Sequence, residues 1–223
     1  MSLLLKGALI EYGTDFLGPL PNVVVFQFNP EQVTRTIEVP ERPAGSGSRE
    51  TSQAGEVPLE RLDLTAKFSA ADMLANDNVL ARISGIGSYL AALELMANSK
   101  AAAGGLLGAA IDAIGDLLGG GGAADPTQPI PREAYPRLIF IWGLTRVLPV
   151  MVTSMKITET HFDFLLNPIE AEVEIGLTVV RPDPCAKDLV AEGASIYTAT
   201  AKEALAVANL ANVAGEIADL VSF

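Results

Sequence analysis

The sequence predicts a mainly β fold of α+β type, with a helical insertion and a C-terminal helix. Three observations carry that expectation. Extended segments rich in β-branched and aromatic residues, or alternating apolar with polar, fill 23–39, 59–69 and 137–181. Residues 72–136 between them turn to leucine, alanine and glycine with apolar positions near helical spacing. From residue 189 the chain is rich in alanine, with Ile196, Tyr197, Leu205, Leu210, Val213, Ile217 and Leu220 spaced as on a helix. The division that follows is a β domain over 1–182, carrying an extended arm at 40–58 and a mostly helical insertion at 72–136, then a helical extension at 183–223.

Residues 7–12 (GALIEY) make a first strand, and the glycines and prolines of 13–22 make a turn-rich connection. In 23–28 the apolar run is nearly unbroken, which suits a strand covered on both faces or lying at a subunit seam. Asn29-Pro30 then signals a turn, because proline drives the residue before it out of the helical region. In 32–39, Val33, Ile37 and Val39 alternate with Thr34, Thr36 and Glu38, so one face is expected to be buried. Residues 40–58 (PERPAGSGSRETSQAGEVP) hold almost no large apolar side chain and cannot bury enough surface to fold alone. Flanked by strands, they read as a β-hairpin whose tip is drawn out into an arm, either solvated or ordering on a neighbouring subunit.

In 59–69 the alternation is clean: Leu62, Leu64, Ala66 and Phe68 oppose Arg61, Asp63, Thr65 and Lys67. Residues 79–98 are helical in spacing, through Leu80, Ile83, Ile86, Leu90, Leu93 and Met96, with Gly85 and Gly87 marking a bend or a close contact. Residues 101–124 read as an amphipathic helix through Leu106, Leu107, Ala110, Ile111, Ile114, Leu117 and Leu118, with Asp112 and Asp116 opposite, within an Ala/Gly-rich segment at 98–124. Strands resume at 137–143 and 148–164, where the alternation of Val150, Val152, Met155 and Ile157 slips at Ser154 and predicts a β-bulge. Asn167-Pro168 turns the chain into 169–181, with Ala171, Val173, Ile175, Leu177 and Val179 on one face. Glu170, Glu172 and Glu174 on the other need solvent, spacing or basic partners. The repeated strand, Asn-Pro, strand arrangement predicts that Asn29-Pro30 and Asn167-Pro168 are equivalent corners of two similar halves.

Composition narrows the function. With 49% hydrophobic and 19% charged residues the chain is ordinary for a globular core, and a net charge of −12 disfavours nucleic acid and anionic membranes as partners. A single cysteine, Cys185, gives no disulfide framework, and the first residues have the wrong length and charge order for a secretory signal, so cytoplasmic folding is expected. The two aspartates and the glycines within 101–124 argue against a membrane span. The lone histidine, His161, has no second metal-ligating histidine or cysteine near it, and neither a phosphate-binding loop nor a dinucleotide fingerprint occurs. No cofactor, no metal and no enzymatic activity are expected. A diffuse acidic hydrolase site is the residual enzymatic alternative.

The segments LLKGALIEY, VVFQFNPEQVTRTIEV, LDLTAKFSAADMLA and LIFIWGLTRVLPVMVTSMKITETHFDFLLNPIEAEVEIGL, spanning most of positions 3 to 181, resemble the tube-forming domain of contractile injection systems, the phage-tail-like particles of bacteria. Its most specific pieces are FQFNPEQVTRT and ITETHFDFLLNPIEAEV. The resemblance implies a tail-tube-like antiparallel β-barrel or sandwich, assembled with copies of itself as a six-membered ring. Its neighbours would be other tube, spike or baseplate proteins, and its place the tube or the baseplate end, where a tube initiator links the spike hub to the first ring. Assembly in the cytoplasm, into a particle open to extracellular release, is implied as well. Longer relatives of that group append a peptidoglycan-binding LysM module where this chain carries its alanine-rich helix, which weighs against a cell-wall role. On this reading Asn29, Pro30, Arg49, Glu50, Thr51, Asn167 and Pro168 are candidates for assembly contacts, and Glu170, Glu172 and Glu174 for the lumen face or the outer face. The other class of function is an adaptor that binds an effector or a membrane through the helices of the insertion.

Overall fold

A computed structural model describes residues 5–12, 22–40, 57–75, 79–98, 135–182 and 188–221. Among them are seven strands and four helices. The strands are β1 (Ala8–Tyr12), β2 (Val23–Val25), β3 (Val33–Glu38), β4 (Leu59–Ser69), β5 (Arg137–Trp142), β6 (Arg146–Phe162) and β7 (Pro168–Val179). The helices are α1 (Ala71–Ala75), α2 (Val79–Ser84), α3 (Gly87–Ala97) and α4 (Leu189–Val221). All strand pairs are antiparallel, in one sheet of order β2-β1-β5-β6-β7-β4-β3. The mainly β class and the C-terminal helix are as expected. The hydrogen-bonded ladder is a single open sheet whose ends, β2 and β3, do not pair with each other, in place of a closed barrel or a two-sheet sandwich.

That sheet nevertheless curls. The Phe26 N–H donates to the Gly7 carbonyl beside β1, while Phe28, two residues on, bridges Lys67 of β4. In a flat sheet β1 and β4 would lie about 19 Å apart, four strand spacings. Residues 26 and 28 are separated by at most about 7 Å, too little even with one strand spacing added at each end. The segment from β2 to β3 is therefore a strap that draws the two ends together. Gln27 fastens it, its side chain donating to the Ser69 carbonyl and accepting from the Ser69 N–H, both at 2.7 Å.

The core lies inside the curl. Leu62, Leu64, Ala66 and Phe68 of β4 and Ala171, Val173, Ile175 and Leu177 of β7 are buried, as their alternation predicted, with Phe26, Phe140, Leu9 and Val150 from the other strands. The α3 helix closes this interior with Leu90, Leu93 and Met96, preceded by Ile86, and Tyr89 meets the Phe68 ring at 5.8 Å. The expected bulge is present, since the β6–β7 register shifts between Val152 and Ser154. The helical stretch at 79–98 breaks into α2 and α3 at Gly85, where φ is +56 and a Cβ would overlap the Pro168 carbonyl oxygen. Turning the axis there leaves Ile83 exposed while Ile86 is buried.

Two burial expectations are corrected. Val23 and Val25 are exposed while Val24 and Phe26 are buried, so within one chain β2 is not covered on both faces, because only the inner side of this end strand meets core and helix; of the two expectations for this run, cover on both faces is the one overturned. In β3 the apolar face is largely open, with Ile37 49% and Val39 72% exposed, because the core stops short of the end of the β3–β4 hairpin. The root of that hairpin is as predicted, with Glu38 opposite Leu59. The arm beyond it, with Arg49, Glu50 and Thr51, and most of the insertion, including 99–134, lie outside the described residues.

Candidate assembly surface

The two Asn-Pro sites, predicted to be equivalent, sit in different surroundings. Asn29 lies in the strap, where its side-chain oxygen accepts from the Gly7 N–H at 3.0 Å and its amide donates to the Leu5 carbonyl at 2.7 Å, tying the strap to the chain entering β1. Pro30 beside it is buried. Asn167 instead closes the β6–β7 hairpin. Its amide donates to Asp163 at 2.9 Å and to the Ile83 carbonyl of α2 at 3.0 Å, and the Ile86 N–H donates to the Pro168 carbonyl at 2.9 Å. The corner equivalence therefore fails. One site bends a strand between two sheet ends, and the other ends a hairpin and pins the α2–α3 junction.

Glu170, Glu172 and Glu174 share the exposed face of β7, as the alternation required. The sheet places bases around them. Lys67 and Thr158 flank Glu172 in register, the Lys156 ammonium lies 2.6 Å from Glu174, and His161 Nδ1 lies 3.4 Å from Glu170, an ion pair only when the imidazole is protonated. The hydrogen bond to Glu174, and then its charge, raise the Lys156 pKa. These pairs are solvated and contribute little to stability. They do prevent the row from repelling itself. The same face forms one wall of an open groove of about 650 Å³, roofed by the strap at Phe28 and Gln32 and lined by Asp63, Lys67, Lys156 and Glu174. Its mixed charge selects no single ion.

At the other end of the sheet, α4 is anchored through its first turns. Asp188 caps it, accepting from the Ala191 N–H at 3.0 Å and from the Tyr12 hydroxyl at 3.0 Å. Burial, then that hydrogen bond, raise the Tyr12 phenol pKa above its ordinary value. Thr198 joins α4 to β6, donating to the Val147 carbonyl at 2.6 Å and accepting from its N–H at 3.0 Å. Further along, Leu205, Val207 and Leu210 are exposed.

The sequence reading passed over one surface. Phe162, Phe164, Leu165 and Leu166, at the β6–β7 turn, are all exposed, Phe164 at 91%. The signal lay in FDFLLNP, where three apolar residues run directly into a turn, a place ordinarily filled by polar residues unless a function holds it apolar.

Among the described residues no cluster of three or more His, Cys, Asp or Glu side chains could hold a metal ion, and no helix is long and apolar enough to cross a membrane. No protein-family model matches the chain, and no curated protein matches it.

Proposed function

We propose that the chain is a structural ring subunit of a phage-tail-like contractile injection particle, at the inner tube or its baseplate end, where its activity is assembly with copies of itself. The observation that carries this reading is the unfinished state of β3. Its alternation calls for a buried face, yet Ile37 and Val39 remain exposed, and among the described residues β3 is the last strand of the sheet, with no strand on its outer edge. Open edges with apolar side chains are hazards that assembly removes, and a ring of copies covers every one of them alike. The curled antiparallel sheet, tied by its strap, is compatible with a tube-like domain. Residues 40–58, read from the sequence as an arm between β3 and β4, would be the part that reaches a neighbour.

Native mass measurement and negative-stain imaging test the proposal, with Ile37→Asp/Val39→Asp as the comparison. The wild-type chain is expected to form closed rings and the variant to remain monomeric with unchanged circular dichroism, since both positions are already exposed in the single chain. Persistent wild-type monomers, free and in the presence of particle components, would overturn it. The adaptor reading draws on exposed Val79 and Ile83 of α2. Monomers that float with liposomes would favour it.

A further inference from the structure

The α4 helix turns small side chains toward the sheet and larger ones away from it. Ala191, Ala194 and Thr198 are buried, whereas Leu189 at 78%, Ile196 at 58% and Leu210 at 66% stand in solvent. The outward residues are not scattered. Positions 189, 196, 203 and 210 follow at steps of seven as Leu, Ile, Glu and Leu, and the positions three places after each, 192, 199, 206 and 213, are Glu, Ala, Ala and Val. Each of them is exposed. A strict seven-residue repeat is the pattern by which one helix keeps a single seam against another helix.

That seam runs through both halves of α4, and only the first half has the sheet beneath it. Among the described residues the last side-chain tie from α4 to the sheet is Lys202, 3.5 Å from Glu60, and every residue from 202 to 210 is exposed. Past that tie the helix continues to Val221, about 28 Å at 1.5 Å per residue. Most of the stability of a helix in a protein comes from packing an apolar face. At 202–210 the chain itself supplies little of it.

We infer that the seam is covered by α4 of a second copy, lying antiparallel to it. Charge decides the direction. A parallel pair sets each seam position against itself, so Glu192 would meet Glu192 and Glu203 would meet Glu203, two like-charge layers with no basic residue in the seam. Antiparallel, with Ile196 opposite Val213 of the second copy, Glu203 falls opposite Ala206 and Ala199 opposite Leu210. Neither glutamate then meets its counterpart, and each large apolar side chain has an apolar one to pack on. Every copy carries this seam, and in that register the seam is its own complement. The projecting half of α4 also gains a use, since it lies along the docked half of the other helix. A bilayer surface is the poorer occupant, because Glu192, Glu203, Glu216 and Asp219 outnumber Lys202 on this helix.

The contact has two-fold symmetry, so it closes on two copies and is separate from the ring contact at β3. It goes beyond the ring reading and does not rest on it. Alanine and glutamate interrupt the large residues of the seam, so the pair is weak, populated at high concentration and not at the dilution of a native mass measurement.

Disulfide trapping at high concentration tests it in the full chain, with Cys185→Ser, and with Ile37→Asp/Val39→Asp to remove the ring contact. Protein carrying Ile196→Cys, mixed with protein carrying Val213→Cys and oxidised, is expected to give a covalent heterodimer in yield on the order of tenfold above the homodimer of either variant alone. In the antiparallel pair each of these positions lies about 25 Å along the axis from its own counterpart, beyond the reach of a disulfide. Adding Leu210→Asp, on the seam, is expected to lower the heterodimer yield about tenfold, and Leu205→Asp, 57% exposed but off the seam, to leave it unchanged. Homodimers of Ile196→Cys as abundant as the heterodimer would mean a parallel pair and overturn the contact. So would the absence of any cross-link, or an equal loss from Leu205→Asp and Leu210→Asp. Rings of the wild-type chain without these cross-links overturn only the helix pair, and cross-links in a chain that forms no rings overturn only ring assembly.

Discussion

Asn29-Pro30 and Asn167-Pro168 are the same dipeptide put to two uses, and the difference lies in what each asparagine reaches. Both break regular strand geometry, as a residue ahead of proline must. Both donate the side-chain amide to a backbone carbonyl in another segment, Leu5 for Asn29 and Ile83 for Asn167. In the strap, that bond ties a bent strand to the start of β1 and helps the sheet curl. In the hairpin, it fastens the α2–α3 junction over the turn, and the Pro168 carbonyl receives the Ile86 N–H that follows Gly85. The local signal states that the chain bends. Only the partner states what the bend holds.

The strongest way to break this comparison is Gly85→Ala. The added methyl would overlap the Pro168 carbonyl and strain a residue at positive φ, and a loss of about 3 kcal/mol in urea unfolding is expected. A loss under about 1 kcal/mol would mean that the α2–α3 junction is not fixed by the hairpin. Replacing each asparagine by alanine sharpens the contrast. Asn167→Ala is expected to cost about 1–2 kcal/mol and to speed amide exchange at Ile86, whereas Asn29→Ala costs about 1 kcal/mol and speeds exchange at Gly7. Exchange rising at the same amides in both variants would show the corners to be coupled. The smallest effect is in the pH dependence. The Asp163 pKa in the folded chain is lowered, chiefly by the Asn167 side chain, so the stabilisation it brings is present above the ordinary carboxylate value and is lost as pH falls through the lowered one. The stability difference between wild type and Asp163→Asn should therefore narrow below about pH 4, and a difference that widens in acid would contradict the turn's hydrogen-bond arrangement.

Much of the sheet was legible. The faces of β4 and β7 follow from alternation alone, because successive strand residues point to opposite sides whatever lies beyond. The bulge near Ser154 announced itself as a slipped register, the hairpin root at Glu38 and Leu59 as two strands flanking a polar stretch, and the break at Gly85 as a glycine within a helical pattern. The candidate surface was legible in part. The Glu170, Glu172 and Glu174 row was visible, but the bases that flank it come from β4 and β6 and depend on register. The apolar β6–β7 turn was overlooked because 158–164 reads as more strand, and whether Phe164 packs or protrudes depends on whether anything reaches it. The open face of β3 was misjudged for the same reason: periodicity says which residues are apolar together, not that the core extends to them.

The sequence by itself determined which residues share a face, where the chain bends and where glycine interrupts a helix. These depend on side chains and dihedrals within a few positions of one another. Only the tertiary structure decided that the sheet curls, that the strap joins its ends through Gln27 and Ser69, and that one Asn-Pro serves β1 while the other serves α2. Those outcomes rest on hydrogen bonds between residues 42 and 84 positions apart, and no local pattern encodes which distant carbonyl an amide will find.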